Sequence, residues 1–136
     1  MFELDHTHVP VSAETRQFWE GCKRGELLYQ FCLGCNRSQF YPRQHCVDCQ
    51  GAKLEWRVSR REGTIYTFTN VSRAPTAAFR VNSPYIVALI DLDEGFRMMM
   101  NIRGTPAERL EIGQRVTVRF DRRDNGDVLP IAEVAR

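Results

Sequence analysis

The chain has 136 residues, 43% of them hydrophobic and 26% charged, and a formal net charge of +2. That length fits one ordinary domain or two very small ones. The near-neutral balance argues against a globally basic nucleic-acid or membrane-surface binder, and no stretch approaches the roughly 20 apolar residues of a membrane span.

The opening "MFELDHTHVPVSAET" has no basic start followed by an apolar run. It does not read as a signal peptide, and a cytoplasmic protein is expected. Pro10 and the β-branched residues beside it predict an extended arm, available to lie on a partner. A helix follows. Ser12 is the expected N-cap, with Glu14 in the positive first turn. Phe18, Trp19 and Cys22 share one side at helical spacing. Lys23 and Arg24 occupy the last turn, and Gly25 is placed to end it.

"ELLYQF" reads as a strand leading into the first cysteine pair, and "KLEWRV" as a strand leaving the second. From Gly63 onward the pattern is all β. "GTIYTFTNV" is rich in β-branched and aromatic residues. "PYIVALIDL" is apolar on both faces, as a central strand would be. In "FRMMMNIR", Phe96, Met98, Met100 and Ile102 face one way. Arg97, Asn101 and Arg103 face the other. "RVTVRF" alternates as cleanly, Asn125-Gly126 is a hairpin signal, and "VLPIAEV" is a last strand. Five such strands predict a small barrel, with the five-stranded OB barrel as the candidate. The long connection "SRAPTAAFRVNS", Ser72 to Ser83, carries Arg73, Phe79 and Arg80 among small residues; loops of this length are usually functional or disordered.

Cys32, Cys35, Cys46 and Cys49 form two Cys-x-x-Cys turns ten residues apart. An odd total of five cysteines, in a chain with no export signal, argues against a disulfide framework. Two such turns can converge on one tetrahedral ion, with zinc favoured over iron. Four thiolates leave no open position for water, so the expected metal is structural. His45, beside Cys46, is the alternative to one of the four. Redox dithiols fit poorly, because no helix follows either pair. Cys22 reads as a small buried hydrophobe.

No catalytic set stands out. His6 and His8 read as surface histidines, and Asp91 and Asp93 as a solvated turn. Met98 to Met100 read as core filler, with Met99 facing the opposite way. Tyr66 and Phe68 could serve as stacking platforms for a nucleic acid. The barrel arginines, however, are interleaved with carboxylates rather than gathered in a stripe.

The order "FWEGCKRGELLYQFC", "YPRQHCVDC", "LEW", "GTIYTFT", "PYIVALIDLDEG", "IGQRVTVRF" resembles the acyl-CoA-associated zinc-ribbon/OB-fold family. The resemblance spans residues from about 11 to 130. It implies a mainly β protein: an N-terminal arm and helix (1–26), a rubredoxin-like zinc ribbon (27–57) and a C-terminal OB barrel (58–136). It also implies a non-catalytic accessory subunit of a thiolase-fold partner, in thiolase, acyltransferase or aldolase complexes acting on acyl-CoA. Such a subunit is not catalytic alone but is required by its hetero-oligomer.

By this resemblance Cys32, Cys35, Cys46 and Cys49 match the ligands of one zinc. Phe18, Trp19, Gly21 and Gly25 match the helix motif, Tyr41, Pro42 and Arg43 the ribbon element, and Pro84, Tyr85 and Asp93 to Gly95 the barrel. Family knuckles commonly place Gly directly after the second cysteine. Here Asn36 and Gln50 stand there, and Gln tolerates the left-handed conformation less well than Asn. Arg73 and Arg80 would meet the phosphates of CoA, and Phe79 its apolar arm. Phe18 and Trp19, read as an exposed aromatic pair, or the strand edges, would dock the partner. The rival reading is a stand-alone single-stranded nucleic-acid-binding module.

Overall fold

The computed structural model describes residues 12–71 and 85–135. The arm with His6 and His8, the long connection with Arg73, Phe79 and Arg80, and Pro84 lie outside the described residues.

Helix α1 spans Arg16–Lys23, later than a Ser12 cap predicts. Ser12 caps the turn that leads into it instead. Its amide donates to Thr15 Oγ1 at 3.0 Å, and the Thr15 amide donates to Ser12 Oγ at 3.3 Å. This reciprocal pairing ties the preceding turn together; it does not cap the amides of α1 itself. The other end closes as expected. Gly25 takes φ 80°, its amide donates to Cys22 O, and that of Glu26 donates to Gly21 O. These are the two bonds of a Schellman motif. Gly21 matters for a different reason. A Cβ there would lie 2.8 Å from Leu28 Cγ, so its bare backbone lets the next strand fold back on the helix.

Phe18 is 2% exposed, which corrects its reading as half of an exposed docking pair. The helix turns that ring into the core, and half-buried Trp19 packs edge-on against it at 4.8 Å.

A three-stranded antiparallel sheet follows, in the order β2-β1-β3. Its strands are β1 (Leu28–Cys32), β2 (Arg37–Gln39) and β3 (Leu54–Val58). The short β2 has no β-branched or aromatic residue and escaped the sequence pattern; pairing with β1, not propensity, makes it a strand.

The remaining strands are β4 (Glu62–Val71), β5 (Tyr85–Leu92), β6 (Arg97–Ile102), β7 (Arg115–Arg122) and β8 (Val128–Val134). They close a barrel in the order β4-β5-β6-β8-β7. Neighbours are antiparallel except β6 and β8, which run parallel at Asn101–Ile131 and Ile102–Ala132. This is the five-stranded OB barrel. Met98 and Met100 point inward and Met99 outward, as the alternation predicts. Strand β5 departs from expectation. Ile86, Ala88, Ile90 and Leu92 are buried, whereas Val87 and Leu89 are only half-buried, because a closed barrel offers one dry side. Strand β8 is covered on both sides. Val128 and Ala132 belong to the barrel core, and α1 packs over the strand from outside. The Asn125-Gly126 hairpin uses a longer loop than the shortest type. Gly126 N–H donates to Arg123 O and Arg123 N–H to Asp127 O, with Gly126 at φ 92°. That is a type I turn followed by a left-handed glycine.

Sheet and barrel share one core. Tyr29 of β1 stacks on Phe96 with ring centres 4.7 Å apart, and Phe40 packs on Phe18 at 5.0 Å. A polar clamp reinforces the link: Ser59 Oγ and the Arg60 amide donate to the two oxygens of Glu94, at 2.7 and 2.8 Å. No helix among the described residues is long and apolar enough to cross a membrane.

Of the glycines, Gly63 has the least room. A Cβ there would lie 2.5 Å from the Asp91 carbonyl oxygen, and that backbone cannot yield cheaply. Gly63→Ala is expected to lower stability by about 2 kcal/mol, the usual cost of overpacking. Urea unfolding of the purified protein measures it.

Candidate metal centre

Strand β1 ends on Cys32, and the chain then makes a tight turn to Cys35 and β2. The Asn36 amide donates to Cys32 O at 2.8 Å, and the Leu33 amide donates to Lys53 O at 2.8 Å. The second turn repeats the plan from an irregular segment. Gln50 N–H donates to Cys46 O at 2.9 Å, and Cys46 N–H to Gly51 O at 2.8 Å. The amides of Asp48 and Cys49 point at Cys46 Sγ, at 3.4 and 3.5 Å. Asn36 and Gln50 take φ 59° and 61°. Both occupy the left-handed conformation that glycine usually supplies after a knuckle.

The four sulfur atoms lie within 4.8 Å of one another. Cys32 and Cys49 approach to 3.6 Å, as do Cys35 and Cys46. Thiolates about 2.3 Å from a tetrahedral zinc stand about 3.8 Å apart, so the arrangement fits such an ion. All four are free thiols. Their acidities are divided. Burial, then hydrogen bonding with the other cysteines, pushes the Cys35 thiol up to about 12. Amide donation, first from Cys49, draws Cys46 down to about 7. A divalent cation among them removes that conflict, since a coordinated thiol is deprotonated. Four sulfurs would fill the shell, leaving no place for a reactive water.

His45 is exposed and lies outside this cluster. Cys22 is buried beside Phe18 and Leu27, and burial pushes its thiol up to about 12. Sequence reasoning passed over Gln30 and Gln39, each 6% exposed. The available signal was a glutamine on each strand flanking the first knuckle.

The barrel carboxylates are not a simple solvated turn. Arg97 grips both Asp91 oxygens at 2.6 and 3.2 Å. Arg115 grips Asp93 at 2.8 and 2.7 Å, and Arg103 donates to Asp121 at 2.8 Å. The hydrogen bonds from Arg115 and Arg103 hold the Asp93 and Asp121 carboxyls below the ordinary range. The Arg97 guanidinium also lies over the Tyr66 ring, 3.6 Å from its centre, and Phe68 packs against the core. An apolar pocket between α1, the sheet and the barrel is lined by Trp19, Tyr41, Met98, Met99, Leu129 and Ile131, among others.

A four-cysteine ribbon built onto an OB barrel defines the class of protein. Residues 19–55 match the rubredoxin-like zinc ribbon domain of ChsH2, and residues 56–121 its C-terminal OB-fold domain. The chain belongs to this ChsH2-type DUF35 family. It is 32% identical over 120 residues to a DUF35 domain-containing scaffold protein of Methanothermobacter thermautotrophicus, covering 86% of this chain and 90% of that one. It is 30% identical over 125 residues to a probable enoyl-CoA hydratase alpha subunit of Thermomonospora curvata. That match takes in 90% of this chain but only 38% of the longer relative. A solved chain of an Ltp2-ChsH2(DUF35) aldolase superposes with a TM-score of 0.84 at 26% identity, covering 95% of this chain and all of that one.

The two left-handed residues give an unequal expectation. Relief of a left-handed side chain is worth about 1–2 kcal/mol, less about 0.4–1 kcal/mol for the added freedom of the unfolded glycine. Gln50→Gly should raise stability by about 0.8 kcal/mol, the difference of the two midpoints. Asn36→Gly should change it little, because Asn already tolerates this conformation. Chemical unfolding of the two variants side by side checks the difference.

Proposed function

We propose that this chain is a non-catalytic subunit of an acyl-CoA-processing complex, docked in the cytoplasm on a larger thiolase-fold chain. The likeness over nearly its full length to a chain of the Ltp2-ChsH2(DUF35) aldolase carries this reading. Two further relatives support it: the hydratase alpha subunit above and the 3-oxo-4,17-pregnadiene-20-carboxyl-CoA hydratase alpha subunit of Mycobacterium tuberculosis, which is 31% identical over 109 residues. In each, the matching stretch is a minor part of a longer chain, 38% and 34% of it. The partner supplies the reacting groups.

In this reading Cys32, Cys35, Cys46 and Cys49 hold one structural zinc. The metal fixes the ribbon at residues 27–57, and through Tyr29, stacked on Phe96, the ribbon is locked to the barrel at 58–136. The arm and helix, residues 1–26, precede the ribbon. The connection between β4 and β5 meets the acyl-CoA: Arg73 and Arg80 for its phosphates, Phe79 for its apolar arm. Single-strand binding fits less well. A groove that tracks phosphates needs available cations, and Arg97, Arg103 and Arg115 are committed to carboxylates.

Native mass spectrometry of the protein from its own cells should show a larger chain bound, with one zinc per copy of this chain. Recovery of the chain alone, or with nucleic acid, would overturn the reading. Within the assembled complex, Arg73→Ala and Arg80→Ala should each weaken acyl-CoA binding roughly tenfold, the scale of a lost charge-assisted hydrogen bond. Titration calorimetry measures it, and unchanged affinity in both variants removes the loop from the CoA site.

A further inference from the structure

The two knuckles are anchored differently. The first grows out of the sheet: Cys32 is the last residue of β1, and the Leu33 amide is taken by the main-chain carbonyl of Lys53, next to β3. The second follows residues 40–45, which pair with no strand. No main-chain carbonyl of the sheet takes the corresponding amide, that of Val47. A side chain does so instead: Gln39 Oε1 accepts from Val47 N–H at 3.0 Å.

Gln39 does not act alone. Gln30 and Gln39 are register partners on β1 and β2. Gln39 Nε2 donates to Gln30 Oε1 at 2.8 Å and to His45 O at 3.4 Å. Gln30 grips Arg43 at both main-chain groups, accepting from its amide at 2.9 Å and donating to its carbonyl at 2.8 Å. Arg43 thus offers one donor and one acceptor, which fixes the orientation of the Gln30 amide. Four main-chain groups of an irregular segment find their partners in two buried side chains. Buried main-chain groups left without partners are costly, so the segment has one strongly favoured path.

We infer that Gln30 and Gln39 are positioning residues for the metal, their linked amides setting Cys46 and Cys49 opposite Cys32 and Cys35. The inference rests on the reading of the four cysteines as zinc ligands. Groups that orient metal ligands from behind typically change affinity by about 10- to 100-fold when removed. Here the effect should be one-sided, because the first knuckle has the sheet to hold it.

The test compares the full-length protein with Gln30→Met, Gln39→Met and the double variant. Zinc affinity is read by competition with a chromophoric chelator, and cobalt by its thiolate charge-transfer absorption. Each single variant should bind zinc about 10- to 100-fold more weakly. The double variant should lose much less than the product of the two, since the amides act as one unit. Iodoacetamide labelling of the metal-loaded protein, followed by tryptic digestion, separates the knuckles. Cleavage after Arg24, Arg37, Arg43 and Lys53 puts Cys32 and Cys35 on one peptide and Cys46 and Cys49 on another. The second peptide should gain labelling rate well beyond the first, while hydrogen exchange in the barrel stays unchanged.

Affinity within twofold of the parent in both single variants overturns the inference, as does equal acceleration of both peptides or general loss of barrel protection. A parent protein that binds neither zinc nor cobalt at its four thiols is a different failure. It removes the metal reading itself, and the inference falls with it.

Discussion

The ribbon depends on four sulfur atoms being held within 4.8 Å of one another. The segment that carries them has little apolar material of its own. Strand β2 is three residues long, the knuckle tips Leu33 and Val47 are exposed, and the centre between β1, β2 and the second knuckle is a pair of glutamines. Such a segment cannot offset its chain entropy by burial alone. A shared cation would do what a core does elsewhere, and the backbone is already shaped for it. Two residues other than glycine accept left-handed conformations so that both knuckles can turn.

The ribbon's apolar residues face outward from its sheet and complete the core of the neighbouring barrel. Tyr29 reaches Phe96, and Phe40 bridges Phe18 and Phe96. Helix α1 closes the same junction over β8. Cross-linking the ribbon therefore also fixes one wall of the barrel's surroundings. Glu94 adds direction to this contact. It sits in the β5–β6 turn and receives hydrogen bonds from Ser59 and Arg60, where the chain passes from ribbon to barrel.

Where a single local pattern decides structure, the sequence was transparent. Alternation placed Met98, Met100, Val116 and Val118 inside the barrel, and the cysteine spacing placed the thiols together. Where structure depends on a partner element, it was opaque. Strand β2 exists only because β1 pairs with it. Phe18 was read as exposed because helical spacing gives a face without saying what covers it; the covering comes from Phe40, more than twenty residues on. The Gln30–Gln39 pair was invisible for the same reason: a glutamine on a short strand looks like surface until a loop with unpaired amides folds over it. Asp91 and Asp93 looked like turn residues because their arginines come from β6 and β7.

The geometry also narrows where a partner or ligand can be met. The knuckles close on themselves, so a metal held by the four sulfurs would have no free position for a ligand. Asp91, Asp93 and Asp121 are held by arginines, so this part of the outer barrel presents paired rather than free charge. Tyr66 lies under a guanidinium. Among the described residues, an apolar rim stands apart from these pairs: Tyr41 and Met99, 45% and 38% exposed, flank half-buried Trp19 at the junction of helix, ribbon and barrel. Under the proposed function, such a chain brings shape to its complex and leaves the reacting groups to the partner. The ribbon's attachment to the barrel then becomes functional in its own right, since it holds that rim in a fixed place relative to the β4–β5 end of the barrel.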